Sequence, residues 1–113
     1  MLSKVDQDAL RKELKGFQDF FIRQLREGLR NGHEGLRDDG RSQVMPLGFD
    51  LDAIRVPVQV WHGERDLMVP FAHGQWIAAH VPGVEVRFMS NEGHVTIGGR
   101  HVPDVHGWLA SKF

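Results

Sequence analysis

The run Val58-Gln59-Val60-Trp61-His62-Gly63-Glu64-Arg65-Asp66-Leu67-Met68-Val69-Pro70 decides how this chain is read. Val58 to Trp61 is β-branched and aromatic, follows Pro57 and ends at Gly63, the pattern of a strand buried in a sheet. A charged loop comes next, and Pro70, with its fixed φ and missing N–H, suits the first turn of a helix. An acid in such a loop stands at the carboxyl end of a strand, where open α/β sheets place their chemistry. Asp66 is that acid, with Glu64 as its rival two residues earlier.

C-terminal to this run, the spacing predicts a helix from Pro70 to Val81 whose Phe71, Trp76, Ile77, Ala78 and Val81 face the sheet, stopped by Pro82-Gly83. Val84 to Met89 alternates apolar and charged residues, a strand with one wetter face. Strand, helix and strand within about thirty residues make a βαβ unit with parallel strands. Ser90-Asn91-Glu92-Gly93 then forms a tight loop presenting His94. A last helix is expected from Val102 to Ser111, with Pro103 in its first turn and Val105, Trp108 and Leu109 inward.

On the other side, Phe49, Leu51 and Ile54 tuck beneath the sheet as the chain approaches Val58. Further back, Ser3 is a helix N-cap with Asp6 three residues on. Leu10, Leu14, Phe17, Phe21 and Leu25 recur at helical spacing, so one helix is expected, weakened at Gly16 and ended by Gly28 and Asn31-Gly32. Its apolar stripe reads as core packing, or as packing against an absent partner. Residues 32–48 hold four glycines and a proline and read as a loop with at most one helical turn.

The pattern Pro57-Val58-x-Val60-x-His62-Gly63-Glu64-x-Asp66-x-x-Val69-Pro70, then Val86-x-Phe88 and Gly93-His94, resembles the C-terminal part of a serine α/β-hydrolase. The resemblance implies an α/β fold: the C-terminal portion of a three-layer hydrolase, a βαβ unit of parallel strands with flanking helices. It divides the chain into residues 1–47, a helical segment read as cap remnant and loop, and residues 48–113, the C-terminal βαβα part. It also implies roles for two residues. Asp66 matches the triad acid and His94 the triad histidine, the carboxylate fixing the tautomer of the ring and stabilising its imidazolium.

Such triads run serine, acid, histidine along the chain, with the serine in Gly-x-Ser-x-Gly between strand and helix. The four serines, Ser3, Ser42, Ser90 and Ser111, have no such setting, and no His-Gly-Gly loop supplies an oxyanion hole. The expectation is therefore the back portion of an esterase-, lipase- or peptidase-like acyl hydrolase, taking a small-molecule acyl substrate once an N-terminal half completes it. The alternative is a non-catalytic remnant that keeps the scaffold and self-associates. No cofactor is implied.

Composition narrows the field further. The 113 residues carry 14 Lys/Arg and 15 Asp/Glu, evenly mixed, so no basic patch invites nucleic acid or an anionic membrane. No apolar run spans a bilayer or forms a leader, leaving a cytoplasmic location as the expectation. Without cysteine there is neither disulfide nor thiolate metal site. Seven histidines raise a metal question, but His101-x-x-Asp104-x-His106 and the pair His73 and His80 lack the spacing of a helical two-histidine site, so no metal is expected. His62, beside Gly63, reads as a packing histidine.

Overall fold

The β-branched run forms strand β1, Gln59–Gly63, and the alternating run forms β2, Glu85–Met89, in a computed structural model that describes residues 1–112. The two strands pair in parallel, with Val60 opposite Val86 and His62 opposite Phe88. Helix α4, Phe71–His80, makes the crossover, so the expected βαβ unit is present.

Successive side chains of a strand point to opposite faces, which decides the layering. Trp61 faces helix α5, His94–Lys112, with its ring 5.4 Å from that of His101. His62 faces α4: its ring meets Phe71 edge-on, and Phe71 in turn meets Phe88 at 4.8 Å. The architecture is helix, two-stranded parallel sheet, helix. Both outer strand edges are unpaired among the described residues.

Several elements depart from the sequence reading. The single N-terminal helix is two, α1 over Lys4–Lys12 and α2 over Phe17–Gly28. The chain turns between them because Leu14 leaves the helical path to pack on Gly99 of α5, where a Cβ would lie 2.8 Å from Leu14 Cδ1. α1 therefore docks on α5, while α2 buries none of its residues. Residues 32–48 are not mostly loop: Glu34–Ser42 forms α3, with Glu34 in its first turn and Arg41 in its last, complementing the helix dipole. Gly35 and Gly40 weaken that helix by about 1 kcal/mol each without abolishing it.

The last helix begins eight residues earlier than expected. His94 is its first residue, and Pro103 lies inside it, where the missing N–H removes a helical bond at a cost of about 3 kcal/mol. Phe71 and Gly74 of α4 turn to the sheet and Val81, just after the helix, is buried, but Trp76 and Ile77 stay exposed. They line, with Leu47, Phe49, Leu51, Ile54, Val58, His73 and Val81, an open apolar pocket of about 430 Å³. Buried apolar side chains are few: Ala9 and Val81 among the described residues.

Candidate functional site

Parallel pairing brings the carboxyl ends of β1 and β2 together, and the ladder continues into the two loops beyond them. Glu64 N donates to the Met89 carbonyl at 3.0 Å, and Arg65 N to the Glu92 carbonyl at 2.9 Å. Gly63 makes this approach possible, since a Cβ there would collide with the Glu92 carbonyl. The guanidinium of Arg65 adds bonds to the Ser90 carbonyl and Asn91 Oδ1, each at 3.0 Å. The acid loop and the histidine loop are thus one stitched unit.

Within it, Asp66 folds back on its own loop. Its Oδ1 accepts from Met68 N at 2.7 Å and Val69 N at 2.9 Å, the side-chain turn that aspartates favour. That leaves Oδ2 for His94, whose Nδ1 lies 2.9 Å away. Burial of the Asp66 carboxyl opposes its ionisation, but the Val69 N–H, the His94 ring and the Met68 N–H together hold its pKa below the ordinary aspartate value. An ionised carboxylate only accepts hydrogen bonds, so Nδ1 of His94 carries the proton and Nε2 points elsewhere. The Asp66 side chain is 5% exposed and that of His94 39%, so solvent reaches the ring and scarcely the acid.

Glu64, the rival acid, is exposed and makes no side-chain hydrogen bond among the described residues. His62 packs behind the acid: Nε2 lies 3.2 Å from the Val69 carbonyl and 3.8 Å from Asp66 Oδ2, and Gly74 of α4 rests against its ring. Nor does a three-residue group that could hold a metal ion occur among the described residues. His101 lies between Glu92, at 3.4 Å, and Asp104, at 3.1 Å, and His80 Nδ1 lies 2.7 Å from the Trp76 carbonyl of its own helix.

A second carboxylate serves the site, and sequence reasoning misses it. Asp6 of α1 has no exposed surface. Its Oδ2 accepts from Ser3 Oγ at 2.6 Å and His94 N at 3.1 Å, and its Oδ1 from Val95 N at 2.9 Å and Thr96 N at 3.0 Å. These are the free N–H groups at the start of α5, capped from another helix. Burial raises the Asp6 pKa, yet the bonds from Ser3, Thr96, Val95 and His94 outweigh it and hold it below the ordinary value. Thr96 Oγ1 adds a local cap, accepting from Gly93 N at 2.7 Å. A little further along α5, Arg100 joins Glu92, at 2.9 Å, to Glu13 beyond the end of α1.

The arrangement is a histidine oriented by one carboxylate through its ring and by another through its backbone. No serine hydroxyl is hydrogen-bonded to His94 among the described residues. No family model, curated protein or solved structure matches the chain.

Proposed function

We propose that this chain is the C-terminal segment of an α/β-fold acyl hydrolase, contributing the acid and histidine of a Ser-His-Asp triad. The observation that carries the reading is the His94 Nδ1 to Asp66 Oδ2 bond of 2.9 Å at the ends of adjacent parallel strands, with Nε2 left free. Nε2 would take the proton of an incoming hydroxyl as it attacks an ester or amide carbonyl, then return it to the leaving alcohol or amine. Asp66 would stabilise the imidazolium formed between those steps. The nucleophile and the oxyanion donors would come from a segment outside these 113 residues.

A non-catalytic, self-associating remnant is the second reading, favoured by the unburied α2 and the unpaired strand edges. Co-expression separates the two. An N-terminal hydrolase segment carrying strand, Gly-x-Ser-x-Gly turn and helix, bound to this chain, is expected to turn over p-nitrophenyl acetate. Asp66→Asn should then lower the rate by about 10⁴-fold, and His94→Ala by at least as much. Turnover indifferent to both substitutions, or a folded complex with none, would favour the remnant.

A further inference from the structure

We infer that Asp6 is a positioning residue for His94: with Ser3, it sets the first turn of α5 so that the imidazole meets Asp66. The inference rests on the triad reading above and extends it to a residue 88 positions from the histidine.

The geometry is specific in three ways. First, both Asp6 oxygens are fully used, Oδ1 by two backbone N–H groups and Oδ2 by one N–H and the Ser3 hydroxyl. A carboxylate so saturated has one orientation, and the three consecutive amides it holds belong to His94, Val95 and Thr96. Second, Gly93 is shaped to Asp6, because a Cβ at position 93 would collide with Asp6 Oδ2 and Ser3 Oγ. The glycine before the histidine makes room for the second carboxylate. Third, the ring bond to Asp66 depends on where the His94 Cα sits, and no other side chain bonds the His94 backbone among the described residues. Arg100, bonded to Glu13 and Glu92, holds α1 against α5 by a separate route that does not touch His94.

The test reads the tautomer of His94 by two-bond ¹H–¹⁵N correlation on the whole chain, at pH about 8.5, where an ordinary imidazole is neutral. Free histidine favours the Nε2–H form, whereas an acceptor at Nδ1 imposes Nδ1–H. Wild type is expected to be mainly Nδ1–H, reverting in Asp66→Asn. In Asp6→Asn the amide carbonyl replaces one oxygen, and the NH₂ group confronts donors with a donor. The ratio of Nδ1–H to Nε2–H should fall at least threefold, with the β1 and β2 amide shifts unchanged. Ser3→Ala should move it the same way by a smaller factor, and Glu13→Gln not at all.

An unchanged ratio in Asp6→Asn overturns the inference, as does an equal change in Glu13→Gln, which would make the effect one of general docking. If Asp6→Asn does not fold, Ser3→Ala decides on the same criterion. A wild type already in the Nε2–H form removes the triad reading itself. An Nδ1–H wild type indifferent to Asp6 removes only this inference.

Discussion

Arg65 and Asn91, 26 residues apart, are joined at 3.0 Å by a guanidinium bond that clamps the acid loop to the histidine loop. The same side chain holds the Ser90 carbonyl, and its backbone N–H holds that of Glu92. Arg65 is exposed, so losing its side chain leaves no buried group uncompensated; the cost should be about 1 kcal/mol. Arg65→Ala should lower urea stability by that amount and speed amide exchange at Gly93 and His94 relative to Val60 and Trp61. Uniform acceleration across both strands would show that the clamp is not local.

Acid should undo the site through its two carboxylates. Asp6 and Asp66 have folded pKa values below the ordinary 3.8, so the unfolded chain binds more protons in that range. The stability they contribute is fully present above about pH 5 and is lost as pH falls through the ordinary value to the lower folded ones. Asp6→Asn leaves backbone donors of α5 poorly matched and should cost about 3 kcal/mol at neutral pH. The stability gap between the variant and wild type should narrow as pH falls below the ordinary aspartate value, because protonation then removes the same carboxylate from wild type. A constant gap across the titration would contradict the assignment.

Two glycines should respond in opposite directions to alanine. Gly98 lies in α5 with nothing within 4 Å of where a Cβ would sit, so Gly98→Ala gains helix propensity and should stabilise by up to about 1 kcal/mol. At Gly63 the Cβ meets the Glu92 backbone, which cannot swing aside as a side chain can. Gly63→Ala should therefore cost about 3 kcal/mol and separate the two loops. Thermal melts of both variants check the signs.

Local chemistry explains what was legible in the sequence. Val58 to Pro70, the alternation at 84–89 and the Gly93-His94 pair each carry their own signal, so the βαβ unit follows from local pattern, strand ends bring the two loops together, and the resemblance singles out Asp66 over Glu64 as the partner of His94. Ser3-x-x-Asp6 also carries a local signal, that of an N-cap, and Ser3 does accept from Asp6 N, at 3.4 Å. Nothing in that spacing reveals that the Asp6 side chain caps a helix 88 to 90 residues away. The early start of α5 was illegible for the same reason: Gly98-Gly99 and Pro103 argue against a helix locally, and the cap that offsets them is supplied by tertiary structure. α3 was obscured by its glycines, which weaken a helix without forbidding it.

With no hydroxyl placed on His94, the chain alone should be inert to serine-directed reagents. Ser3 is buried and bonded to Asp6, and Ser42 and Ser111 each donate to a backbone carbonyl of their own segment. A fluorophosphonate probe should label none of the four serines stoichiometrically, and p-nitrophenyl acetate should give no burst. Mass-spectrometric detection of one labelled serine, lost in His94→Ala, would place a nucleophile where none is expected.

The isolated chain should also seek a second copy of itself. Its accessible surface is 8456 Å², against about 6,300 Å² for a compact monomer of this mass, and its radius of gyration is 16.0 Å, against about 13 Å. The excess, about 2,100 Å², exceeds the roughly 800 Å² that each partner buries in an ordinary stable interface. Much of it is apolar: Phe20, Phe21, Ile22 and Leu25 of α2 lie about half exposed, and both sheet edges offer unpaired N–H and C=O groups. Sedimentation at rising concentration should reveal dimers or larger species, with amide protection in residues 59–63 increasing as they form. Phe21→Glu places a charge in the α2 stripe and should shift the distribution toward monomer without altering the His94 tautomer, because α2 contributes nothing to that site. A chain that stays monomeric at millimolar concentration with strongly protected β1 amides would sink the prediction.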